Sequence, residues 1–277
     1  MFTTAVLLAL LTAVLLAAGF FFAGILGMTV ALVMAFAINF VSCLYSDRIL
    51  LKIYRAKRSS DPELNSIVEN MAREAGIPKP RVYIIPSDVP NAFATGRGPK
   101  HAAVVVTHGL SILSRNEMTG VIAHEMSHIK DRDILVQNVA ATIAGAISYM
   151  AQIGYWDLYI GRGRGLKKIL GLILIIIFAP LAALIVKMAI SRRREYKADF
   201  IGAVLSKRPV ALASALRKIS KVSQEKAMQG SPATSHLWIV NPFKQDWFTG
   251  LFSTHPPVQR RIAKLERIVV KKGEKND

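Results

Sequence analysis

No Asp, Glu, Lys, Arg or His occurs between Met1 and Ser46. A stretch that long without a charge cannot lie on the surface of an ordinary water-soluble domain. It is long enough for two membrane-spanning helices, because a hydrocarbon core ~30 Å thick takes about 20 apolar residues at ~1.5 Å rise. The first span is placed at residues 4–22 and the second at 27–45, with Gly24 and Gly27 in a tight turn between them. A cleaved signal peptide is the competing reading, with Ala17 and Ala18 as small residues after an apolar run. It would begin with basic residues and lose its apolar character soon after cleavage, and this segment does neither. All the charge therefore falls on the rest of the chain, where 36 Lys and Arg against 18 Asp and Glu leave a net +18, although 52% of the residues are hydrophobic. That combination excludes a disordered chain. It favours a membrane with anionic headgroups over nucleic acid as the partner. The single Cys43 excludes an internal disulfide and a cysteine-type zinc knuckle.

Two more apolar segments follow, at 134–156 and 169–186. The third carries Gln137, Asn138, Ser148 and Gln152, so it faces other helices or a wet cavity; a buried helix of a soluble core is its alternative. Basic residues after span two (Arg48, Lys52, Arg55, Lys57, Arg58) and after span four (Arg192 to Arg194) place both ends in the cytoplasm. Arg162, Arg164, Lys167 and Lys168, between spans three and four, conflict with that orientation. The chain divides into a transmembrane hairpin at 1–46, a polar block at 47–133, a second hairpin at 134–190 and a second polar block at 191–277. The expected class is a mainly α membrane protein with four transmembrane helices and an α+β domain with a small sheet.

Within the first polar block, helical spacing covers Pro62 to Ala75 and stops at Gly76. Arg81 to Ile85 and Ala102 to Thr107 read as strands, being rich in β-branched residues. Ser114 with Glu117 forms a capping box that opens the next helix. In the second block a helix continues from span four to about Leu205, Pro209 starts another, and Val258 to Val270 forms the last. Ala227 to Gly250 has no clean period and contains Trp238, Phe243, Trp247 and Phe248; a lid, an interface-seeking loop and core packing are all open for it.

The capped helix contains His124, Glu125 and His128 in the pattern H-E-x-x-H. Residues i and i+4 share a helix face, so both imidazoles can converge on one ion while the Glu between them holds and deprotonates a water. A catalytic zinc takes three protein ligands and keeps one position open. Glu195 is the leading third ligand, with Asp199 one turn later to accept the other ring N–H of a histidine. The competing reading is that Glu195 merely balances Arg192 to Arg194 on a solvated helix. Two membrane crossings separate His128 from Glu195 and return the chain to the same side, which lets the two halves meet.

HEMSH at 124–128, EYKAD at 195–199, STHPP at 253–257 with Arg260 and Arg261 beyond, NAFATG at 91–96 and the paired N-terminal apolar spans together resemble the HtpX family of membrane zinc metalloproteases, over essentially the whole chain. The resemblance implies a zincin-like α+β catalytic domain of gluzincin type and one Zn2+ per chain. It implies an endopeptidase that degrades misfolded or damaged membrane proteins at the cytoplasmic face of the inner membrane, with lipids and polypeptide substrates as partners. It assigns His124, His128 and Glu195 to the zinc, Glu125 to general-base catalysis and Asp199 to support of a ligand. His255 then comes near the metal, as an oxyanion stabiliser, a fourth ligand in a resting form or a turn residue. Arg260 or Arg261 supports the transition state or Glu195, with Arg260 taken as the candidate. The segment Asn91 to Ala94, with Asn91, Ala92 and Phe93 as the candidates, is either an edge strand offered to an extended peptide or a simple loop. His101, His108 and His236 are read as ordinary histidines. Asp131 and Asp133 either orient the metal-binding histidines or mark a charged membrane boundary. Two rival functions remain: an intramembrane-cleaving protease, disfavoured by the charges at Lys130 to Asp133, and a non-enzymatic polytopic metal-binding or transport protein.

Overall fold

A computed structural model describes residues 2–140, 192–230, 232–244 and 255–273. Span four, most of span three, Trp247, Phe248, Ser253 and Thr254 lie outside the described residues. Helix α1 runs Phe2–Ile53. Inside it Gly24 takes a left-handed φ of 57°, a value foreign to a helix interior, at the position where the sequence places the turn. Many side chains along α1 are outside the described set, and among the described residues no helix is long and apolar enough to cross a membrane.

The sheet has four strands, β1 Lys57–Arg58, β2 Arg81–Ile85, β3 Ala92–Gly96 and β4 Ala102–Thr107, in the order β1-β2-β4-β3. β2 and β4 are parallel; β1 and β3 pair antiparallel on the outside. β4 is central and buried along its whole length, which is why it reads as an unbroken apolar run instead of an alternating one. Its two faces serve different cores. Ala92, Ala94, Val104 and Val106 pack with α2 (Pro62–Ala75) and α3 (Arg115–Lys130), while Phe93, Val105 and Ile85 pack with Leu50, Tyr54 and Trp238.

Helix α2 starts where Asp61 accepts from the N–H groups of Glu63 and Leu64, and ends at Gly76 with φ 69°. Three further α-helices follow in the second half: α4 Arg192–Ser206, α5 Pro209–Glu225 and α6 Val258–Gly273. Residues 133–140 are also helical. Two glycines set the spacing around α3. A Cβ on Gly202 would lie 2.8 Å from the His124 backbone nitrogen, and one on Gly120 would lie 3.1 Å from Leu212. α4 therefore crosses α3 with its backbone against the metal-motif helix.

Of the three readings of residues 227–250, core packing holds at 234–243, while Ala227, Gln229, Gly230 and Lys244 are exposed. Trp238, Ile239 and Phe243 are buried, and the Trp238 ring stands edge-on to Phe93 and Tyr54 at centroid distances of 4.8 and 5.1 Å. Burying rings of this kind stabilises by roughly 1.5–3 kcal/mol each.

Candidate metal centre

The register of α3 is fixed at its first turn. Ser114 Oγ accepts from the Glu117 N–H, and Glu117 accepts in return from the Ser114 N–H at 2.8 Å. Two turns on, His124 and His128 bring their Nε2 atoms to 3.3 Å from each other. Glu195, in the first turn of α4, places Oε1 at 3.5 Å from His128 Nε2 and Oε2 at 4.0 Å from His124 Nε2. All three side chains are buried. Tetrahedral ligands at 2.0–2.1 Å from a zinc lie about 3.3–3.4 Å apart, so the three donors fit around one small cation. Glu195 Oε2 has no hydrogen-bond partner among the described residues, and a buried acceptor in that state favours a cation beside it. His124, His128 and Glu195 can thus hold a metal ion.

Asp199 lies one turn beyond Glu195. Its Oδ1 is 3.0 Å from His124 Nδ1, within hydrogen-bonding reach though off the line of the ring N–H. Arg261 clamps the same carboxylate bidentately, Nε donating to Oδ2 at 2.8 Å and Nη2 to Oδ1 at 2.7 Å. It also donates from Nη1 to the Ile239 carbonyl at 2.6 Å and lies 3.6 Å from Glu195 Oε2. Glu125 is buried beside the pair of imidazoles. His255 puts Nδ1 at 3.2 Å from Glu195 Oε2, and neither ring nitrogen has a hydrogen-bond partner among the described residues.

The charges in this pocket strongly perturb one another. Burial pushes the Glu125 carboxyl up to about 7. Burial acts upward on Glu195 too, but His255, His128 and Arg261 hold it well below the usual carboxylate range. Asp199 is likewise raised by burial and brought down to about 2 by Arg261 and His124. Burial lowers His124, with Asp199 opposing it. For His128 burial again acts downward, yet Asp133, Glu195 and Glu125 raise it to about 9. A divalent cation among the donors requires both imidazoles neutral and so displaces protons from this cluster.

Two sequence-based expectations need correction. Arg260 is exposed, and Arg261 occupies the site instead. Consecutive residues on a helix diverge by ~100°, so only one of the pair can face Asp199. The edge at Asn91 to Phe93 is also covered already. The Asn91 side chain donates to the Val240 carbonyl at 2.6 Å, the Ala92 carbonyl accepts from the Ile239 N–H at 3.0 Å, and Phe93 is buried against Tyr54 and Trp238. Asp133, which the sequence left between two readings, lies beside His128. The signal for it was its position five residues past His128.

Two histidines one turn apart on a helix, a carboxylate from a second helix and a buried carboxyl between them define a metallopeptidase centre of the gluzincin type. The peptidase family M48 model matches residues 58–269. A protease HtpX homolog of Thermococcus sibiricus is 50% identical over 98% of this chain and 96% of its own length. Those of Pyrococcus abyssi and Persephonella marina are 50% and 45% identical, each over 98% of this chain and 96% and 98% of their own lengths. The crystal structure of S. mikatae Ste24p matches with a TM-score of 0.48 at 17% identity; the match covers 94% of this chain and 62% of that one. The chain belongs to peptidase family M48 and, within it, to the HtpX proteases. It is a metalloprotease, and the non-enzymatic alternative falls.

Proposed function

We propose that this is a zinc-dependent endopeptidase of the cytoplasmic membrane, anchored by four spans (4–22, 27–45, 134–156 and 169–186), that cleaves misfolded or damaged membrane proteins at the cytoplasmic face. The catalytic domain is assembled from 47–133 and 191–277, and the hairpins at 1–46 and 134–190 hold it at the bilayer. The observation that carries the reading is the buried triad of donors from α3 and α4 with Glu125 beside it. Exposed Arg48 and Lys52 near the end of α1, with Arg55, Lys57 and Arg58 just after it, support a cytoplasmic orientation against anionic headgroups.

His124 Nε2, His128 Nε2 and a Glu195 oxygen would hold the zinc, a borderline-soft ion that two imidazole nitrogens and a carboxylate oxygen suit. When bound, the ion supplies a Lewis-acid charge that polarises the scissile carbonyl and favours deprotonation of water. Glu125 takes the proton of the attacking water on its carboxylate and passes it to the leaving amine nitrogen. His255 donates to the developing oxyanion, and Arg261 keeps Glu195 and Asp199 in place.

The test uses the full-length protein with an unfolded polypeptide substrate. Glu125→Gln is expected to retain zinc and lose cleavage; cleavage that persists contradicts the mechanism. In membrane vesicles, cleavage of an added substrate is expected only when the cytoplasmic face is outward.

A further inference from the structure

An imidazole that binds a metal through Nε2 carries its proton on Nδ1, and a carboxylate accepting that N–H fixes both the tautomer and the ring orientation. His124 has Asp199 for this purpose, itself clamped by Arg261. The other histidine needs an equivalent. Its Nδ1 lies 3.5 Å from Asp133 Oδ2. The geometry points to Asp133 as the positioning residue for His128, holding its ring so that Nε2 faces His124 and Glu195. The inference rests on the metal-binding reading given above and extends it.

Three features separate Asp133 from a charge at a membrane boundary. Its side chain is 11% exposed and turned toward His128, whereas Asp131, two residues earlier, is 27% exposed and pairs outward with Lys197 at 2.6 Å. Its second oxygen is taken by Arg194 Nη1 at 3.3 Å, so the carboxylate is held from α4 by the residue preceding Glu195. Each metal-facing histidine is thus backed by an aspartate, and each aspartate by an arginine. The backbone between them is the third feature. α3 ends at Lys130, Asp131 caps it, and Arg132 adopts φ 60°, a left-handed conformation that is unfavourable for a non-glycine residue. That residue turns the chain so that Asp133 returns to the last histidine of α3.

Asp133 also begins an element that reaches the strand beside Glu125. Within helical residues 133–140, Asn138 donates to the Gly96 carbonyl at 2.9 Å and accepts from the Thr95 hydroxyl at 3.1 Å. The position of this helix therefore bears on a zinc ligand at one end and on the outer edge of β3 at the other.

Chelator competition on the full-length protein in detergent reads zinc affinity without reference to turnover. Asp133→Ala is expected to bind zinc about 10–100-fold more weakly than the wild type, and Asp133→Asn, which keeps an acceptor, several-fold more weakly. Asp131→Ala is expected to stay within about twofold, since its partner is a surface lysine. Thermal unfolding of the metal-free proteins shows which variants are folded; if Asp133→Ala is not, Asp133→Asn alone decides. Wild-type affinity in a folded Asp133 variant overturns the inference, as does an equal loss in Asp131→Ala. If the wild-type protein binds no zinc, or binds it equally well after His128→Ala, the metal-centre reading itself has failed.

Discussion

The two ends of α3 each bury a carboxylate against a later helix, and they treat it in opposite ways. At the N-terminal end both carboxylate oxygens of Glu117 are hydrogen-bonded. The side chain accepts from the Ser114 N–H, from the Ser214 hydroxyl at 2.6 Å and from Lys218 Nζ at 2.8 Å, and so ties α3 to α5. At the C-terminal end Glu195 Oε2 and both His255 nitrogens lack hydrogen-bond partners among the described residues. Satisfied buried polar groups stabilise a fold; unsatisfied ones oppose it and persist where a ligand completes them. One helix is thereby scaffold at its start and reaction centre at its end.

Substitutions can break this contrast, and the largest effects belong to the C-terminal end. Glu125→Gln should lower kcat by about 10²–10⁴-fold, with zinc content unchanged in metal analysis. Arg261→Gln leaves Asp199 and Glu195 buried without their cation, and should destabilise the metal-free protein by about 3–5 kcal/mol in denaturant unfolding. Gly202→Ala would force α4 away from the His124 backbone. Overpacking of this kind costs about 1–3 kcal/mol, and a weaker hold on zinc should accompany it in chelator competition.

At the N-terminal end the effect should fall on stability alone. Glu117 is raised by burial but brought down to about 2 by Lys218, Ser214 and Ser114, against an ordinary value of 4.5. A carboxylate lowered on folding stabilises above its unfolded pKa and loses that contribution as pH falls through the folded one. Glu117→Gln should therefore cost about 1–2 kcal/mol at neutral pH, and the difference from wild type should vanish between pH 4.5 and about 2. Zinc affinity at neutral pH should not change. The smallest expected effect is that of Arg260→Ala, within about 0.5 kcal/mol in stability and without change in kcat/KM, because its side chain is exposed.

What the sequence revealed about α3 follows from the same contrast. The capping box and the H-E-x-x-H spacing are local, so Ser114, Glu117, His124 and His128 could be read directly from helical geometry. Glu195 needed one topological step, the return of the chain to its starting side. The choice between Arg260 and Arg261 depends on the phase of α6 against α4, which no local spacing contains. The covering of Asn91 depends on Val240, 149 residues away. β1 has only two residues, too short a stretch for its period to show. The four apolar segments are legible by composition alone, and two of them fall largely or wholly outside the described residues.

Zinc K-edge X-ray absorption on the metal-loaded full-length protein tests the central claim most directly. The expected shell is two imidazole nitrogens and one carboxylate oxygen at ~2.0–2.1 Å with one further light atom from solvent, and Glu195→Ala should remove one oxygen. A shell without histidine scattering, or one unchanged by Glu195→Ala, would contradict a site shared between α3 and α4.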